Sequence, residues 1–179
     1  NGGALAITGT TTLTTSANNA TIALDNTTNV FTGVVTLSTA GSTGNATIDN
    51  GTTALNIGTS SVGGNLTLTS GNSITDSGTV TVGGNLAATT DGGIGNPAKY
   101  GAITMDGLRV DGTVALITNG TGNATVVNDV GLNFAASTVR GNLSATATTG
   151  NISDSGALTI TGTTTLTTSA NNATIALDT

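Results

Sequence analysis

The residues of this chain best able to do chemistry are its aspartates. Asp25, Asp49, Asp76, Asp106, Asp129 and Asp154 each follow the second apolar run of a recurring unit. Stacked into one column, such carboxylates would offer the several oxygen ligands that Ca²⁺ prefers. The same residues also suit a structural role, since Asp49-Asn-Gly, Asp76-Ser-Gly, Asp106-Gly and Asp154-Ser-Gly are turn sequences in which the Asp side chain holds nearby backbone. The calcium-binding nonapeptide GGxGxDxUx is not matched, because the nearest stretch, Asp91-Gly-Gly-Ile-Gly-Asn, has its acid in the wrong place. The turn role is the expectation, with calcium as the alternative and no other cofactor implied.

Catalytic sets are sparse. His and Cys are absent, and no Ser sits in a GxSxG nucleophile elbow. Asp106, Arg109 and Asp111 come nearest to the carboxylates and basic residue of a polysaccharide lyase or hydrolase, although two acids beside one Arg more commonly form a surface ion-pair group. No catalytic residue is assigned and no enzyme is expected. Thr-x-Thr ladders could order water as an ice-binding face does, but Ala87, Ala115 and Ile117 interrupt them. The Asn-x-Ser/Thr triplets at Asn19, Asn45, Asn65, Asn123, Asn142, Asn151 and Asn172 are what an Asn- and Thr-rich chain produces without glycosylation. Inward-facing Asn are expected to form amide ladders that fix strand register.

The elements that would position these residues are strands. Thr, Gly and Asn supply about half of the 179 residues while Glu, Gln and His are missing, a bias toward strands and turns and against helices. The 23 residues Gly3 to Asp25 return at Gly156 to Asp178 with one change, Ala6 against Thr159, at an offset of 153. The chain is therefore read as one super-repeat, 4–156, followed by the start of the next, 157–179. Gly9, Gly33, Gly64, Gly84, Gly112, Gly141 and Gly162 each follow an apolar-x pair, which divides the period into six unequal units.

Each unit reads as a three-strand coil. After the anchor glycine, alternate positions such as Val35/Leu37, Leu66/Leu68 and Val114/Leu116 are apolar and point to a core. The residues between them, such as Thr36/Ser38 and Thr67/Thr69, carry hydroxyls for the solvent side. A second strand follows Asn or Gly, as at Asn45-Ala-Thr-Ile, and a third leads into the next anchor, as at Thr79-Val-Thr-Val82. The predicted fold is all-β: a parallel β-solenoid of about seven coils, stacked about 4.8 Å apart. Six coils per period would repeat about every 29 Å. The insertion Thr90 to Tyr100 reads as a protruding loop with Asp91, Asn96, Pro97, Lys99 and Tyr100 as candidate interaction residues.

The net charge of −6 sets nine acids against Lys99, Arg109 and Arg140, which offers nucleic acid no basic patch. No apolar run approaches the roughly 20 residues of a membrane-spanning helix. An export signal is expected to lie outside these residues.

Around Gly64 (GGNLTLTSGNSITDSGTVTV), Gly84 (GGNLAATTDGG) and Gly141 (GNLSATATTGNISDSGALTI), the chain resembles the repeats of filamentous haemagglutinin-type exoproteins exported by two-partner secretion. The resemblance extends over essentially the whole chain as a repeat pattern. It implies a right-handed β-helix, secreted or held on a bacterial cell surface, serving as a fibre or stalk for adhesion, aggregation or sheath formation. The partners it implies are further copies of the repeat, stacked end to end or in one giant chain, and a host or neighbouring cell surface or its glycans. A calcium-dependent or ice-binding module is the alternative function, and a polysaccharide-active enzyme the third.

Overall fold

The computed structural model describes residues 2–92 and 100–178. Among these residues every regular element is a strand, and the strands form two ten-stranded sheets with a short ladder, Ala6–Ile7 on Val30–Phe31, beside them. Neighbouring strands run parallel throughout, as in Thr11–Thr14 on Val35–Ser38 and Leu66–Ser70 on Leu86–Thr90. Parallel neighbours cannot be joined by a tight hairpin, so the chain travels round the core before laying the next strand on the last. The result is the expected parallel β-solenoid.

The strands follow from the alternating pattern. In Leu66–Ser70 the Leu side chains are fully buried and Thr67 is exposed, and Val35 and Leu37, Val114 and Leu116, and Leu143 and Ala145 repeat the arrangement. Register stacks like on like, with Leu66 beside Leu86 and Leu13 beside Leu37. Each large aliphatic side chain buried this way contributes about 1.5–3 kcal/mol. Glycine is required where coils turn most tightly: a Cβ on Gly33 would run into the carbonyl oxygen of Gly9, and one on Gly112 into that of Gly84.

The layer count differs from the sequence reading. On one face the layers are Thr11–Thr14; Val35–Ser38; the pair Leu55–Ile57 and Ser60–Val62; the pair Ile74–Asp76 and Val80–Val82; Ile103–Val110; Ala124–Asn128; Leu143–Ala147; and Thr164–Thr168. That makes eight layers and seven steps between Thr11 and Thr164, so the 153-residue period contains seven coils rather than six. The axial repeat becomes about 34 Å. Most coils carry three strands, one straight and two meeting at a bend, but at each change of face two straight strands follow one another, Val35–Ser38 with Ala46–Asp49 and Thr113–Ile117 with Ala124–Asn128.

The miscount has a physical origin. The straight strand changes face twice, so the anchor steps Gly33 to Gly64 and Gly112 to Gly141 each span one and a half coils. The missed glycines are Gly44 and Gly122, which open Gly-Asn-Ala-Thr without an apolar-x pair before them. They mark a hidden half-repeat. Gly44-Asn45-Ala46-Thr47 matches Gly122-Asn123-Ala124-Thr125, Leu55-Asn56 matches Leu132-Asn133, and Ile74-Thr75-Asp76-Ser77-Gly78 matches Ile152-Ser153-Asp154-Ser155-Gly156, all at an offset of 77 or 78. Half a period is three and a half coils, so equivalent residues occupy different faces.

Buried polar groups manage each change of face. Where straight Val35–Ser38 is covered by a bent pair, Ser60 accepts the Leu37 N–H at 3.0 Å and donates to the Gly58 carbonyl at 2.8 Å. Ser137 does the same for Leu116 and Ala135, at 3.0 and 2.8 Å. Where a bent layer is covered by a straight one, the amide of Asn50 accepts from the Phe31 N–H and donates to the Phe31 carbonyl. Asn128 does so with Val110. Inward Asn therefore bridge coils as predicted, but through the backbone of the adjacent coil and not through stacked amides. Replacing Ser60 by Ala strands a buried N–H and a carbonyl, so Ser60→Ala should lose about 1–3 kcal/mol in chemical denaturation. Exposed Ser61→Ala should lose almost none.

Candidate functional site

The six aspartates do not form one column. Asp25, Asp49 and Asp154 lie at or beside the strands Ile22–Leu24, Ala46–Asp49 and Ile152–Asp154 of one face, whereas Asp76, Asp106 and Asp129 belong to the other. Among the described residues no three acids converge as a metal-ligand group. Asp49 holds a turn as expected, accepting the Gly51 N–H at 2.8 Å where Gly51 has φ 51°. Asp76 and Asp154 act between coils: Asp76 receives the N–H groups of Asp106 and Gly107 at 3.1 and 2.9 Å, and Asp154 that of Asp178 at 3.0 Å. These carboxylates are joints of the stack.

Arg109 meets Asp129 at 3.4 Å and Asp111 at 4.0 Å, with all three side chains about half exposed or more. The ion-pair group is therefore Arg109, Asp111 and Asp129, and Asp106 stands outside it. Exposed pairs of this kind contribute about 0–1 kcal/mol. Asp106 lines, together with Asp129, a cleft of about 200 Å³ with Leu108, Val127 and Thr148.

A larger open cleft, about 310 Å³, is lined by Asp111, Thr113, Asn133, Asn151 and Ser153 over Gly112 and Gly131. Thr113, Asn133 and Ser153 are register neighbours on three successive layers. The buried Asn133 Oδ1 has no partner among the described residues. Half a period earlier Thr32, Val34 and Ala54 stand in place of Asp111, Thr113 and Gly131. One carboxylate, two amides and two hydroxyls along a groove can meet a hydroxylated ligand such as a saccharide. Sequence reading missed this cleft, whose residues come from separate coils.

Exposed Asn residues form a second inter-coil device. Asn45 Oδ1 accepts the Asn65 N–H at 2.7 Å, Asn65 Oδ1 that of Asn85 at 2.8 Å, and Asn85 Oδ1 that of Thr113 at 2.9 Å. Asn123 and Asn142 continue the pattern on the other face, toward Asn142 and Thr163. The Gly-Asn-Leu openings are thus corner clamps. Of the loop candidates, Asn96, Pro97 and Lys99 lie outside the described residues. Asp91 donates its N–H to Ser70, and Tyr100 is 64% exposed beside Gly120.

The family described as "Repeats of unknown function" (DUF5649) matches residues 1–38, 43–96 and 121–179. The chain belongs to this family. Two of the matched segments begin at 43 and 121, an offset that coincides with the half-repeat. No curated protein and no solved structure gave a match.

Burial perturbs the titration of two acids of this DUF5649 chain. Burial raises the Asp49 carboxyl above its ordinary value, opposed by the Gly51 N–H and reinforced by the charges of Asp91 and Asp25. Burial also raises Asp76, against the N–H groups of Gly107 and Asp106 and with help from the Asp106 charge. A carboxyl whose folded pKa is raised binds more protons folded than unfolded, so its contribution is complete below the unfolded value of 3.8 and declines as pH rises through the folded value. The melting temperature should therefore rise on acidification from pH 7 toward about pH 4. The Asp49→Asn/Asp76→Asn double variant should show a smaller rise.

Proposed function

We propose that the chain is a segment of an extracellular fibre, a non-enzymatic stalk that holds an adhesive surface away from a bacterial cell. The observation that carries this reading is the in-register stack of eight coils repeating almost identically after seven, an arrangement that yields length without closing on itself. The Gly-Asn-Leu openings, shared in pattern with filamentous haemagglutinin-type exoproteins, support secretion and a role in adhesion or aggregation. Cell-surface glycans are the proposed partners, and the polar cleft at Asn133 is the described surface with the chemistry to touch them. Asp49, Asp76 and Asp154 accept backbone N–H groups and Asp111 and Asp129 meet Arg109, which supports a fold that stands without a metal.

Tandem proteins of one, two and three 153-residue units test the reading. Their rods should lengthen by about 34 Å per unit in electron micrographs, and their melting temperatures should not change with EDTA. Displayed on a non-adherent bacterium, longer versions should increase attachment to glycan-coated surfaces. Attachment that does not depend on unit number would sink the stalk role.

A further inference from the structure

The cleft at Asn133 lies where the fold changes face, inside the stack, and the other half of the period holds its counterpart. Thr113, Asn133 and Ser153 occupy one register column on three successive coils. Asn85, whose Oδ1 accepts the Thr113 N–H, stands below the column, and Ala176 stands above it. The open polar column is therefore three positions long, about 10 Å at about 4.8 Å per coil. Half a period earlier the matching residues are Val34, Asn56 and Thr75. Asn56 and Asn133 each bury an Oδ1 that meets no donor among the described residues. The orphaned oxygen thus comes with the shared fold, and the groups around it decide its use.

We propose that the cleft binds a short stretch of a neutral, extended glycan laid parallel to the solenoid axis, one sugar per coil. A buried carbonyl oxygen without a donor is costly. A half-turn of the Asn133 amide about its last side-chain bond brings Oδ1 to the cleft, where a sugar hydroxyl donates to it. Thr113 and Ser153 offer hydroxyls one coil below and one coil above. Asn151 Oδ1 already accepts the Thr174 N–H at 2.9 Å, so its amide nitrogen serves as the donor. The Asp111 carboxylate accepts from two neighbouring hydroxyls at the lower end. An equatorially linked pyranose advances by about one coil spacing of about 4.8 Å per residue, so successive sugars meet successive members of the column.

Charge and shape narrow the ligand further. Arg109 stands 4.0 Å from Asp111, both are about half exposed, and the chain carries a net charge of −6, so an acidic sugar meets repulsion at this end. The volume of about 310 Å³ lies at the low end for ligand sites, roughly 300–1,000 Å³, which suits a short stretch of chain. Gly131 keeps the floor flat, for a Cβ there would stand 3.3 Å from the Asn151 carbonyl oxygen. The other half carries Ala54 at that position, the branched Val34 for Thr113 and the uncharged Thr32 for Asp111. Among the described residues no aromatic side chain lines the cleft, so each site binds weakly through hydrogen bonds. One site per 153-residue period recovers strength through avidity.

This deepens the glycan-contact reading of the stalk and rests on it for its use in the cell. Solution binding by the single chain reads the cleft, and attachment against unit number reads the stalk, so either can fail alone. In saturation-transfer NMR the chain should bind an equatorially linked glucose tetrasaccharide, and bind its axially linked isomer and its uronate counterpart far more weakly. Asp111→Asn should weaken binding about tenfold, and Asn133→Ala should abolish it. Asn56→Ala should leave it unchanged. The gain-of-function variant Thr32→Asp/Val34→Thr/Ala54→Gly, checked for its β circular dichroism, should bind two equivalents in place of one. Wild-type affinity in folded Asn133→Ala, equal or tighter binding of the axial or acidic probe, or no binding of the neutral probe by the folded chain would each overturn the proposal.

Discussion

No coil of this protein is complete until another is laid on it. The backbone N–H and C=O groups of a strand such as Leu66–Ser70 point along the stack, and a single coil has nowhere to satisfy them. Its apolar side chains face a core only one layer thick, which becomes a core when Leu66 and Leu68 are followed by Leu86 and Ala88. Stability therefore comes from interfaces between neighbours, each nearly the same as the last. Length costs little once the interface is good, and open ends remain reactive.

The polar residues serve that constraint. Corner Asn residues pass a hydrogen bond from coil to coil on the outside, and Asn50, Asn128, Ser60 and Ser137 repair the ladder inside where straight and bent strands meet. Asp76 and Asp154 bind backbone N–H groups one coil further on. A chain with so few charges and aromatics thus holds its register by side-chain to backbone bonds, which reject a slipped alignment because a one-residue shift would leave buried donors unpaired.

The change of face twice per period has a functional side. Equivalent sequences half a period apart lie on different faces, so a surface device evolved once is displayed in two directions. The two halves differ in places: Thr32, Val34 and Ala54 stand where Asp111, Thr113 and Gly131 open a polar cleft. The inserted segment after Thr90 occurs in only one of the halves. A solenoid with one repeated core can in this way carry different surfaces on its sides.

Strand positions, the inward and outward residues, and the parallel stack were legible in the sequence because a period of two and a near-exact copy at 153 residues are local and arithmetic signals. The identity of Gly3 to Asp25 with Gly156 to Asp178 set the period outright. The number of coils in that period was not legible, since Gly44 and Gly122 open strands without an apolar-x pair before them and the straight strand moves between faces. Nor could sequence separate one column of aspartates from two groups, or bring Asp111, Asn133 and Ser153 into one cleft. Those depend on register between residues about twenty apart, which the polar joints at each change of face decide and no local pattern encodes.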